Sequence, residues 1–141
     1  ITCDKFDKKL NILIAEDIPY NKTLLVTMLE NMKYSNISTA ENGQIAVEMI
    51  RESYEKGNPY HILLLDLRMP VMNGYQVLDI YHKNHWKLPN IVVVTASIMD
   101  KDREKCKMLG AKYFINKPID IKELETTMLH ACELTENLLY I

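Results

Sequence analysis

Five side chains carry most of the chemistry this sequence offers: Glu16, Asp17, Asp66, Thr95 and Lys117. Each closes or directly follows a short apolar run. Glu16 and Asp17 end Asn11-Ile-Leu-Ile-Ala-Glu16, Asp66 ends His61-Ile-Leu-Leu-Leu-Asp66, Thr95 ends Asn90-Ile-Val-Val-Val-Thr95, and Lys117 comes one residue after Tyr113-Phe-Ile-Asn116. Carboxylates crowded together push one another toward the neutral form unless a cation sits among them. Oxygen donors with no His or Cys nearby suit Mg²⁺ or Mn²⁺ better than zinc, and Mg²⁺ commonly completes its octahedron with phosphate oxygens. Such a site is built to receive a phosphoryl group. A carboxylate can serve as the nucleophile and become an aspartyl phosphate. Asp66 would take that part, with Lys117 and the metal offsetting charge on the equatorial oxygens and Thr95 hydrogen-bonding the arriving group.

These residues meet only if the chain folds so that the runs lie side by side. Each of the first three runs is too short for a stable helix and apolar on both faces of a two-residue period, the pattern of a strand buried between helical layers. Asn36-Ile-Ser-Thr-Ala40 and Tyr113–Asn116 carry more polar positions and suit outer strands. Helical stripes fall between them: Leu24, Leu25, Met28, Leu29 and Met32; Ile45, Ala46, Met49 and Ile50; Tyr75, Val77, Leu78 and Tyr81; and Leu124, Met128, Ala131 and Cys132. Residues 100–110 complete the set as a helix whose apolar residues crowd toward one end. Pro19 suits a first helical turn, Gly57 and Gly110 mark helix ends, and Asp120 with Glu123 reads as a capping box. A β-α unit repeated five times makes a parallel sheet with helices on both faces, and ligands collect at the carboxyl ends of its strands.

Composition narrows the function. The chain has 141 residues, 48% of them hydrophobic and 26% charged, which fits one globular domain. A balance of 17 basic against 19 acidic residues gives a formal charge of −2, too little positive field for binding nucleic acid through its phosphates. Three cysteines, Cys3, Cys106 and Cys132, show no CxxC spacing, so neither a disulfide framework nor a zinc site is expected and a reducing cytoplasm fits. No apolar run is long enough to span a membrane, and residues 1–9 do not build a signal peptide. A start on Ile rather than Met and the apolar end Leu138-Leu139-Tyr140-Ile141 suggest a piece of a longer chain. The expected division is an extension over 1–9, a domain over 10–135 and an extension over 136–141.

Glu16-Asp17, Asp66 followed by Met69-Pro70-Val71-Met72-Asn73-Gly74, Thr95-Ala96 and Lys117-Pro118 together resemble the receiver domain of two-component response regulators, from about Lys9 to Leu134. The resemblance implies a flavodoxin-like α/β fold with strand order 2-1-3-4-5. It implies transfer of a phosphoryl group from a phosphohistidine, on a histidine kinase or histidine phosphotransfer domain, to Asp66 in the presence of Mg²⁺. The metal contacts it implies are Asp17, Asp66, the backbone carbonyl of Arg68 and, through water, Glu16. It also implies a switch in which Thr95 moves toward the phosphoryl group and Phe114 turns inward, a cis Lys117-Pro118 bond, and no catalysis beyond the domain's own phosphorylation and dephosphorylation. Asn21 and the Met-Pro-x-Met-x-Gly string look most like receivers of hybrid histidine kinases, with a stand-alone regulator or a docking-only pseudo-receiver as alternatives. The domain is expected to be cytoplasmic, as a monomer or weak homodimer, without membrane contact.

Three positions depart from the common pattern: Ile18 follows the acidic pair, and Arg68 and Ser97 line the access of attacking water. Arg68 also removes a rival, because phosphatases of the haloacid-dehalogenase type need an acid two residues after the nucleophile. A flavin carrier of the same topology would need a phosphate-cradling loop where Glu16-Asp17-Ile18-Pro19-Tyr20 stands. Taken singly, each acid could be a loop cap, Thr95 a strand end, Lys117 an exposed charge, and Phe114 core packing. Gly74 reads as backbone support, the eight Met residues as mainly core, and Cys106 and Cys132 as small hydrophobes.

Overall fold

A computed structural model describes residues 10–87, 89–96 and 99–139, with side chains described as far as residue 133. Five strands and five helices alternate: β1 (Ile12–Ala15), α1 (Pro19–Asn31), β2 (Ile37–Ala40), α2 (Gly43–Glu55), β3 (Ile62–Leu65), α3 (Gly74–Lys83), β4 (Asn90–Thr95), α4 (Asp100–Met108), β5 (Ala111–Asn116) and α5 (Ile121–Leu139). All strand pairs are parallel, and the order across the sheet is β2-β1-β3-β4-β5. The order reverses between β1 and β3, so the carboxyl ends of these two central strands frame the crevice where such sheets hold ligands.

Alternation within the central strands sends side chains to two separate cores. Leu13, Ala15, Leu63, Leu65, Ile91 and Val93 face α2, α3 and α4 through Ala46, Val47, Ile50, Val77, Leu78 and Cys106. Ile12, Ile14, Ile62, Leu64, Val92 and Val94 face α1 and α5 through Leu25, Leu29, Leu124, Met128 and Ala131. Burial on both faces removes these strands from water almost completely, and this is why they read as unbroken apolar runs.

Caps and turns set the loops around the crevice. Pro19 takes the first turn of α1, as expected, and Asn42 caps α2 by accepting from the Ile45 N–H at 2.9 Å. Asn73 and Gln76 form a reciprocal capping box at the start of α3 that the sequence reading missed, although its N-x-x-Q spacing was visible. At α5, the Asp120 carboxylate accepts from the Lys122 N–H at 3.4 Å, rather than forming the expected pairing with Glu123. Gly57 and Gly110 follow α2 and α4 with positive φ, in keeping with their reading as helix ends.

Some expectations need correction. β5 begins at Ala111, two residues before the expected start, because exposed Lys112 disguises its first turn of the pleat. α4 stops at Met108, and both Met108 and Met99 are exposed, so these two methionines are not core. On α2 the inward positions are Ala46, Val47 and Ile50, and Ile45 turns outward. Cys132 is buried but is more than a small hydrophobe, since its Sγ lies 2.9 Å from the Tyr34 hydroxyl. α5 runs to Leu139, and the expected extension over 1–9, Ser97 and the side chains of Leu138–Ile141 lie outside the described residues.

Candidate functional site

The acids that end β1 and β3 converge. One carboxylate oxygen from each of Glu16, Asp17 and Asp66 falls within a group whose members all lie within 4.8 Å of one another. Two of the three side chains are held where backbone hydrogen bonds extend the sheet: Glu16 N–H donates to the Ala40 carbonyl, and Asp66 N–H donates to that of Ala15. Glu16 and Asp66 are buried, and Asp17 is half-buried at the mouth.

Lys117 comes from the far end of β5 to meet them. Its backbone N–H donates to the Thr95 carbonyl at 2.8 Å, and its Nζ donates to Glu16 Oε1 at 2.8 Å and to Asp66 Oδ2 at 3.4 Å. The lysine side chain is only 17% exposed, so little water competes with these bonds. Burial pulls the ammonium pKa down. The hydrogen bond to Glu16 and the charges of Asp66 and Glu16 outweigh that and hold it above the usual lysine range. One cation against three carboxylates leaves the cluster short of positive charge.

The three acids do not stand in equivalent surroundings. Glu16 has both oxygens engaged, Oε1 by Lys117 and Oε2 by the Ile18 N–H at 3.2 Å. Asp66 receives the Arg68 N–H on Oδ1 at 3.2 Å and Lys117 on Oδ2. Asp17 Oδ1 is buried and has no hydrogen-bond partner among the described residues. An unpartnered buried carboxylate oxygen is costly in this setting. An oxygen-only donor set with one unsatisfied, electron-rich member fits a hard divalent cation such as Mg²⁺.

The surrounding loops approach very closely. Gly74 N–H donates to the Leu67 carbonyl, and a Cβ at Gly74 would come within 2.5 Å of the Asp66 carbonyl oxygen and 2.7 Å of Leu67 Cα. The expected structural role of Gly74 is therefore a close backbone approach directly behind Asp66. Gly43 meets the same loop, donating to the Met72 carbonyl, and was not singled out from sequence. Between them Val71 sits at φ 68°, with Met72 N–H donating back to the Pro70 carbonyl at 2.7 Å. A β-branched residue in this tight turn is strained, and Val71 is 73% exposed beside the site.

Thr95 is buried at the carboxyl end of β4, and Phe114 is half-buried on β5, packed against the α2–α4 core. Lys117-Pro118 is cis, as the resemblance implied. Among the described residues, the five chemistry-bearing positions thus all fall at one end of the sheet, with the side chains of Glu16, Asp17, Asp66 and Lys117 joined by contacts or carboxylate proximity and Thr95 joined to Lys117 through the backbone.

A doubly wound sheet with an acidic cluster and a lysine at its switch point defines a phosphoacceptor-type α/β domain. Residues 12–129 match the family described as the response regulator receiver domain, and the chain belongs to that family. It is a receiver domain of the two-component and phosphorelay signalling systems. It is 29% identical over 129 residues to the osmosensing histidine protein kinase SLN1 of Saccharomyces cerevisiae, covering 92% of this chain and 11% of that protein. Among solved structures, the complex of the yeast histidine phosphotransfer protein Ypd1 with the receiver domain of Ssk1 aligns with a TM-score of 0.72 at 27% identity, covering 88% of this chain and 89% of that one. The CheX–CheY–beryllofluoride–magnesium complex of Borrelia burgdorferi aligns with a TM-score of 0.77, also at 27% identity, covering 86% and 87%. The chain spans between 5% and 13% of the length of the curated relatives it matches, several of them hybrid histidine kinases.

Proposed function

We propose that this domain takes a phosphoryl group from a phosphohistidine onto Asp66. The observation that carries the reading is the meeting of Glu16, Asp17 and Asp66 within 4.8 Å, bridged by Lys117. Asp17 and Asp66, with the Arg68 backbone carbonyl, are the direct holders of Mg²⁺ in this reading, and Mn²⁺ can replace it. Glu16, its oxygens already occupied, acts through water. The bound cation supplies charge neutralisation for the incoming phosphoryl oxygens.

The chain's own groups do the rest. An Asp66 oxygen forms the new bond to phosphorus as the bond from phosphorus to the donor imidazole breaks, and the departing imidazole keeps the electron pair and takes up a proton. The Arg68 N–H and the Lys117 ammonium hold the Asp66 carboxylate in place before the transfer. Lys117 then faces the negative oxygens of the acyl phosphate, Thr95 hydrogen-bonds one of them, and Phe114 changes rotamer as Thr95 moves. Phenylalanine has no hydroxyl, so ring packing sets that rotamer equilibrium.

The donor is a histidine kinase or a histidine phosphotransfer domain. In support, exposed Ile18 and Tyr20 follow Asp17 closely in the chain and exposed Val71 lies in the loop after Asp66, apolar side chains that a protein partner can cover. The similarity to SLN1 and the other hybrid kinases supports a hybrid sensor kinase as the parent, with this domain on the cytoplasmic side. No helix among the described residues is long and apolar enough to cross a membrane. Titrating beryllofluoride with Mg²⁺ while following backbone amide shifts tests the reading: shifts around Asp17, Asp66, Thr95 and Lys117 are expected, and an unperturbed spectrum would overturn it.

A further inference from the structure

α4 is held to the rest of the domain differently from its neighbours. It buries one side chain, Cys106, whereas α2 buries those of Ala46, Val47, Ile50 and Ser53 and α3 those of Val77, Leu78 and Tyr81. Its first turn follows Met99, which makes no side-chain cap bond. A helix with so little buried apolar surface depends on other contacts for its position.

Two such contacts come from its own cations. The Arg103 guanidinium lies 4.7 Å from the centroid of the Phe114 ring on β5, and Lys105 Nζ lies 5.3 Å from that of Tyr75 on α3. The Arg103 contact is the closer, and the planar guanidinium suits an aromatic face. It exists only while the Phe114 ring keeps its present orientation on β5.

We infer that Arg103 is a positioning residue for Phe114, clamping the ring and α4 together in the resting arrangement so that phosphoryl binding must break this cation–π contact. The inference rests on the reading of Phe114 as the residue that changes rotamer, and adds the group that opposes the change. Removing the guanidinium lowers that opposition. The domain then accepts a phosphoryl mimic more readily, and α4 opens more often even without one.

Arg103→Gln keeps much of the side-chain length and removes the charge, while Arg103→Lys keeps the charge on a narrower head. Hydrogen exchange of the metal-free, ligand-free chain is expected to show α4 amides exchanging about 2–5-fold faster in Arg103→Gln, as the loss of one half-buried cation–π contact implies, with β1, β3 and β4 unchanged. Apparent affinity for beryllofluoride in saturating Mg²⁺ is expected to rise by a similar factor of about 2–5, with Arg103→Lys in between. In a Phe114→Leu background, Arg103→Gln is expected to alter neither quantity. Equal α4 exchange in wild type and Arg103→Gln, faster exchange without a gain in affinity, or the same effect without the ring would each overturn the inference. A wild-type chain that never responds to beryllofluoride would instead defeat the phosphoacceptor reading, and the α4 exchange comparison would still decide whether the clamp exists.

Discussion

Replacing Asp66 by Asn should stabilise the metal-free domain while removing its function. Asp66 lies within 4.8 Å of carboxylate oxygens of both Glu16 and Asp17, and 3.4 Å from Lys117 Nζ. At an effective dielectric constant near 20, each like-charge pair at that separation costs about 3.5 kcal/mol, and the lysine attraction returns about 5 kcal/mol. The amide loses both repulsions and the one attraction, for a net gain of about 2 kcal/mol. Asp66 meets the Arg68 N–H and the Lys117 ammonium with separate oxygens; the amide's single oxygen keeps one of these bonds and its NH2 faces the other donor, so about 2 kcal/mol is the upper bound of the gain. A domain of this size converts such a gain into a rise of about 4–8 °C in melting temperature. Calorimetry in a chelator and again in excess Mg²⁺ reads the effect. The variant should melt higher than wild type without metal, and Mg²⁺ should raise its melting temperature less than it raises that of wild type. A variant that melts lower in chelator, or that gains as much from Mg²⁺, would refute the electrostatic reasoning.

Gly74→Ala should cost about 1–3 kcal/mol, the usual penalty for overpacking, because the added methyl meets backbone atoms of Asp66 and Leu67 that cannot swing away. Urea unfolding checks this, with Gly57→Ala as the comparison, since that site has positive φ but open space and should lose only the conformational share. Lys117→Ala should leave Mg²⁺ affinity equal or higher, because a cation leaves the cluster, while reducing the amide shifts caused by beryllofluoride at saturating metal; a large loss of metal affinity in a Mg²⁺ titration contradicts the role given to it. Tyr81, buried beneath the α3–β4 connection with its hydroxyl donating to the Lys87 and Pro89 carbonyls, has its pKa pushed up to about 12 by burial and, less, by Tyr54. The unfolded chain loses this proton near pH 10 and the folded chain near 12, so stability conferred by Tyr81 is present below pH 10 and falls between the two by up to about 2.7 kcal/mol. Tyr81→Phe, less stable at neutral pH for lack of the hydrogen bonds, should lose that part of the alkaline slope in urea unfolding followed from pH 9 to 12.

The parts of this molecule legible in sequence are those where one physical demand dominates a stretch of chain. Ile12–Ala15, Ile62–Leu65 and Ile91–Val94 are sealed on both faces, so only apolar residues serve and the strands announce themselves. The acids stand where the first two of those runs end and Lys117 just past β5, and their meeting at one end of the sheet follows from parallel pairing. The outer strand β5 reads short in sequence because exposed Lys112 interrupts its apolar pattern after Ala111. Features built by contact between distant segments left little trace. Nothing in the surroundings of Gly43 predicts its approach to Met72, and the pairing of Arg103 with Phe114 needs the α4–β5 packing to be seen. Residue type and spacing alone do not separate Glu16 from Asp17; the family resemblance gives them different parts, and the fold shows a glutamate with both oxygens occupied beside an aspartate with one oxygen unmet.

Locating the phosphoryl group itself tests the central claim most directly. The chain is incubated with acetyl phosphate and Mg²⁺, the acyl phosphate is trapped by borohydride reduction, and peptides are mapped by mass spectrometry. Modification at Asp66, absent without Mg²⁺ and absent in Asp66→Asn, is the predicted result. Modification of another residue in the wild-type chain, or undiminished labelling after Asp66→Asn, would contradict the account.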